Sequence, residues 1–89
     1  MIRQKLQFWG KVQNVGFRYS MTMKARSLGC TGWVKNESDG SVKAEVQGEP
    51  DAIKEVVKYL KKDKYIRIRF VNRQNIPLIE GERDFSETW

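Results

Sequence analysis

The spacing of apolar residues changes character along this chain, and the order of the changes leaves few folds open. From Ile2 to Val12, apolar side chains fall at Ile2, Leu6, Phe8 and Val12, with Arg3, Lys5, Gln7 and Lys11 between them and Trp9 in the polar set. A period of two marks a strand with one buried face. From Phe17 the spacing turns helical. Phe17, Met21, Ala25 and Leu28 form one stripe, read as core, and Gly29 follows where many helices end in a left-handed residue. Thr31 to Asn36 is strand-like around Trp33 and Val34, and Ser38-Asp39-Gly40 signals a tight turn. Ser41 to Gln47 alternates again, with Val42, Ala44 and Val46 on one face. Pro50 and Asp51 suit the first turn of a second helix, whose apolar face is Ile53, Val56, Val57 and Leu60. Tyr65 to Arg73 returns to alternation. Ile66, Ile68 and Phe70 stand against Arg67, Arg69 and Arg73, which the pattern assigns to an open sheet face. Asn75 to Gly81 reads as a loop, and the tail around Phe85 as a short edge strand.

Strand, helix, strand, strand, helix, strand is the order of the ferredoxin-like βαββαβ sandwich. This is an α+β fold, an antiparallel sheet of four to five strands with both helices on one face. With 89 residues and no repeat, low-complexity tract or linker, the expectation is a single domain over 1–89.

Composition narrows the chemistry. The chain has no histidine and one cysteine, Cys30. Ser-His and Cys-His triads and ordinary zinc sites are therefore excluded, and catalysis has to rest on Arg, Lys, amides, carboxylates and backbone groups. The lone cysteine, read as a packing residue, forms no internal disulfide. Together with the lack of a secretory pattern or a long apolar run, it favours a cytoplasmic setting with no membrane partner. The net charge of +6 attracts anions without choosing among them.

The change of period at residues 12–18, Val-Gln-Asn-Val-Gly-Phe-Arg, singles out one junction. The first amides of a helix lack carbonyl partners, and the macrodipole adds partial positive charge there. Such a turn suits a phosphate. Gly16 lets a ligand approach the backbone, and Asn14 tolerates positive φ. Arg18 opposes the dipole unless an anion lies beside it, and its guanidinium can grip two phosphate oxygens. On these grounds an anion cradle and an ordinary turn with a solvated arginine both stand. The nucleotide-binding alternatives fail: Lys5 and Val12 break the P-loop spacing around Gly10-Lys11, and the dinucleotide glycine pattern is missing. A cysteine phosphatase loop fails because Asn36, not arginine, follows Cys30 by six.

Gly-Lys-Val-Gln-Asn-Val-Gly-Phe-Arg at 10–18, Leu-Gly at 28–29, Gly-Trp-Val-Lys-Asn at 32–36, Asp-Gly at 39–40, Ser41-Val42 and Gln47-Gly48 together resemble the acylphosphatase family. The resemblance covers residues 3 to 60 well, with a looser match at Phe85. It implies the same ferredoxin-like sandwich. It also implies a metal-independent hydrolase of acyl phosphates that needs no cofactor. Phosphate would be held by the Arg18 side chain and the backbone amides of Gln13, Asn14, Val15, Gly16, Phe17 and Arg18, and Asn36 would orient the attacking water. Phosphate or sulfate would fit the same cradle, and a monomer is the default. Two departures stand out. Asn14 replaces a usual glycine, which keeps a left-handed turn at modest strain but adds a side chain at the rim. After the second helix, Lys61-Lys62-Asp63-Lys64-Tyr65-Ile66 replaces a Gly-Pro and Ala-x-Val step.

The implied reaction suits a chain without histidine. The leaving group of an acyl phosphate is a carboxylate, which departs without a proton, so no general acid is required. Positioning and electrostatic stabilisation carry the rate. The rival reading is RNA binding on the open sheet face, which needs stacking aromatics on the first and third strands. Here the third strand offers Lys43, Glu45 and Gln47, and the first only Trp9, so no specific nucleic-acid partner is expected. A non-catalytic phosphate sensor is a third reading, resting on Asn14. The acyl part of the substrate is left open.

Overall fold

The computed structural model describes residues 1–89. Its elements are β1 (Ile2–Lys11), α1 (Phe17–Ser27), β2 (Thr31–Asn36), β3 (Val42–Gly48), α2 (Pro50–Lys61), β4 (Arg67–Ile76) and β5 (Phe85–Thr88). The sheet order is β4-β1-β3-β2-β5. The β1–β3, β1–β4 and β2–β3 pairings are antiparallel, and β5 joins β2 in parallel at the edge. The ferredoxin-like arrangement anticipated from apolar spacing is thus present, with one parallel edge added. No helix is long and apolar enough to cross a membrane.

The core follows the periodicities. Leu6, Phe8, Val34, Val42, Ala44 and Val46 face the helices and are buried, as are Phe17, Met21 and Ala25 of α1 and Ile53, Val56, Val57 and Leu60 of α2. The Phe8 and Phe17 rings meet at 4.9 Å, which fixes the start of α1 on the sheet. Phe85 of β5 is fully buried against Gly32, where a Cβ would lie 1.8 Å from the Glu45 carbonyl oxygen. Only glycine lets β2 and β3 approach this closely at that point. Cys30 is buried and its thiol pKa is pushed up by that burial, so the unreactive form dominates and packing is its role.

Four expectations need correction. Leu28 is not core. It caps α1 and is exposed, because the helix ends at Ser27 and Gly29, with φ of 73°, turns the chain away. The alternation read from Tyr65 to Arg73 breaks at Arg69. The register steps from Gly10↔Ile68 to Trp9↔Phe70, so one residue of β4 is bulged out. Phe70 therefore lies beside Trp9 on the open face and is exposed, while Val71 takes the core side opposite Phe8. The same step puts Arg73 in register with Leu6, on the helix side rather than the open face. Finally, β4 runs through Asn75 to Ile76, so the loop begins later than expected.

The connection from β4 to β5 has to pass from one edge of the sheet to the other, and it does so over the open face. Arg3, which alternation assigned to solvent, is buried beneath it. Its Nε donates to Glu45 at 2.9 Å, and its Nη1 donates to Glu82 at 2.7 Å and to Gln47 at 3.2 Å. Gln47 exchanges two hydrogen bonds with the backbone of Ile79, at 3.0 and 2.9 Å. Burial would raise the Glu82 carboxyl pKa, but hydrogen bonds from Arg3 and Thr31 and the Arg3 charge outweigh it and hold it below the usual range. A carboxylate stabilised in this way adds stability at pH above its unfolded pKa, about 4.3, and loses it as pH falls through the folded value. Glu82→Gln is therefore expected to cost about 2 kcal/mol at pH 7, lowering Tm by roughly 10 °C. Thermal melts should show that gap narrowing towards pH 3.

Candidate active site

The loop between β1 and α1 is built by two left-handed residues. Asn14 has φ of 62° and Gly16 has φ of 78°. Gly16 caps α1, with no side-chain hydrogen bond and no acidic residue in the first turn, and its carbonyl accepts from Ser20 at 3.0 Å. None of the N–H groups of residues 13–19 donates to a carbonyl or side chain of the protein. A run of free donors at a helix N-terminus presents partial positive charge to the surface.

The loop is tied down by Gln13. Its Nε2 donates to the carbonyls of Glu37 at 2.7 Å and Ser41 at 2.9 Å. The loop is thereby fastened to the β2–β3 turn, which brings Asn36 alongside. Within that turn, Asp39 Oδ1 accepts from the Ser41 amide at 2.9 Å and the Ser41 hydroxyl at 2.6 Å, which lowers the Asp39 pKa. These bonds close the turn without the Asn36 carboxamide. Asn36 lies at the end of β2, on the same face as Val34, and points to the helix side.

Val12, Asn14, Gly16, Phe17, Arg18, Tyr19, Asn36 and Glu87 line one concavity of about 120 Å³. Of the residues singled out from the sequence, Asn14, Gly16, Phe17, Arg18 and Asn36 come together there. The Gln13 side chain does not; it is committed to the hairpin. Val15 lines a neighbouring groove with Asn14. The Arg18 guanidinium stacks over the Trp89 ring at 4.0 Å, and its Nη1 donates to the Thr88 carbonyl at 3.3 Å. The contribution of β5 was missed. Glu87 faces the concavity because Phe85, two residues earlier, points into the core. That parity was readable once Phe85 was taken as buried.

The Acylphosphatase family profile matches residues 4–87. The chain belongs to the acylphosphatase family. It is an enzyme of that kind. An acylphosphatase of Clostridium beijerinckii is 37% identical over 87 residues, covering 97% of each chain. One from Thermococcus kodakarensis is 45% identical over 56 residues, a stretch spanning 63% of this chain and 62% of that protein. The crystal structure of acylphosphatase from Bacillus subtilis superposes with a TM-score of 0.91 at 30% identity, covering all of both chains. The acylphosphatase fold thus extends over the entire chain, beyond the stretch of strongest sequence likeness.

Proposed function

We propose that this acylphosphatase hydrolyses its substrate by direct in-line attack of water, with the phosphoryl group held by Arg18 and the free amides of residues 13–18. The observation that carries this reading is the meeting of Arg18, Asn36 and a loop of unpaired N–H donors at one small concavity. A dianion in that cradle turns the position of Arg18 at a helix N-terminus from unfavourable to favourable. The guanidinium and amides stabilise charge on the equatorial phosphoryl oxygens. The Asn36 carboxamide orients water opposite the leaving group. The water oxygen bonds to phosphorus as the bond from phosphorus to the acyl oxygen breaks. The carboxylate leaves with that electron pair, and the proton of the water passes to the phosphate. Neither metal nor covalent intermediate enters.

Two features tune the site. Glu87 places a carboxylate at its edge, opposing a bound dianion. Asn14 holds a left-handed φ that glycine would adopt without strain. Asn14→Gly is expected to keep the fold and raise kcat/KM for acetyl phosphate a few-fold by clearing the loop rim, as steady-state kinetics would reveal. The reading as a whole is tested by acetyl phosphate hydrolysis after exhaustive EDTA treatment, with inorganic phosphate as a competitive inhibitor. Full dependence on added divalent metal would overturn it.

A further inference from the structure

We propose that the groove beside the phosphate loop binds a second anionic group on the acyl part of the substrate, so that acyl phosphates with a charged acyl chain are preferred. The proposal rests on the hydrolase reading above and specifies its substrate class. The groove, about 580 Å³, is lined by Lys11, Asn14, Val15, Lys64, Tyr65 and Arg67. Asn14 lines both this groove and the concavity that holds Arg18 and Asn36, so the two are contiguous. A substrate whose phosphoryl group sits by Arg18 directs its acyl chain past Asn14 into a space with three cations and no carboxylate on its walls.

No carboxylate of the chain neutralises those cations. The chain makes six ion pairs, and none uses Lys11, Lys64 or Arg67. The acidic residue nearest in sequence, Asp63, is occupied. Its Oδ1 accepts from the amides of Tyr65 at 2.8 Å and Ile66 at 3.2 Å. Lys11 and Arg67 are direct register partners on β1 and β4. Like charges placed opposite each other across strands oppose folding, and an anion bound between them removes that penalty. The groove is also pre-shaped. Arg67 Nη1 donates to the Lys64 carbonyl at 3.2 Å, fastening the loop after α2 to the start of β4. Lys64 and Tyr65 stand in the segment that departs from the usual acylphosphatase pattern, so the subsite belongs to this chain rather than to the shared phosphate cradle.

The test compares kcat/KM for succinyl phosphate and acetyl phosphate at low ionic strength, in the wild type and in Lys64→Ala/Arg67→Gln. A wild-type preference for succinyl phosphate of about fivefold is expected, carried mainly by KM and shrinking in 0.5 M salt (about 0.5 M suffices to screen it). The double variant should bring the ratio near one. Lys64→Ala alone, in an exposed loop, should lower it part-way and guards against a folding defect. Lys54→Ala/Lys58→Ala removes the same charge from the outer face of α2 and should leave the ratio as it was. A wild-type ratio of one or less, or a ratio the groove variants do not move, overturns the subsite while acetyl phosphate turnover upholds the hydrolase. Hydrolysis of neither compound overturns both.

Discussion

Arg18→Ala is expected to lower kcat/KM for acetyl phosphate by roughly a thousandfold or more, on the scale of losing a charged donor at a transferring phosphoryl group. Most of the loss should appear as weakened phosphate affinity, so the inhibition constant for inorganic phosphate rises with it. Stability should barely change. The Arg18 side chain makes one long hydrogen bond to the Thr88 carbonyl and a stack on an exposed ring, contacts of small worth to folding. Arg18→Lys separates charge from shape. It keeps the cation but loses the planar fork, and a bidentate grip predicts that it recovers little activity. A variant that melts like the wild type and still turns over at its rate would remove Arg18 from the mechanism.

Asn36→Ala should divide the two functions of the site. Turnover is expected to fall by about a hundredfold or more, while inorganic phosphate continues to bind with near wild-type affinity. The reason lies in the hairpin. Asp39 and Ser41 close the turn and Gln13 anchors the loop, so the cradle does not depend on the Asn36 side chain. Titration with phosphate, followed by calorimetry or by protection against thermal unfolding, would measure the retained affinity. Loss of phosphate binding along with turnover would instead make Asn36 a structural member of the hairpin.

Much of the architecture was legible because local pattern and global packing agree. The α2 stripe at Ile53, Val56, Val57 and Leu60 and the β3 alternation at Val42, Ala44 and Val46 both ended up buried as spaced. Pattern failed where a single residue changed the phase. The bulge at Arg69 leaves no mark in composition, yet it inverts every side chain after it and sends Phe70 out and Val71 in. It failed again at Arg3, since alternation predicts which face a residue takes but not whether another segment later covers that face. For the candidate site, the motif residues Asn14, Gly16, Phe17, Arg18 and Asn36 were visible in the sequence. Glu87, Thr88 and Trp89 were not, because their proximity to Arg18 spans about seventy residues of chain and depends on a parallel strand pairing.

The passage of residues 77–84 across the open face has a bearing on how the molecule comes apart. The last strand is held beside β2 by its parallel pairing and by buried Phe85, and the segment before it is buckled to the middle of the sheet through Arg3 and Gln47. Releasing that buckle loosens the approach to the strand and to the tail over Arg18, while the other four strands and both helices keep their mutual contacts. Acid that protonates Glu82 is therefore expected to disturb the outer wall of the candidate site from the opposite side of the sheet, and activity should fade before the body of the protein melts.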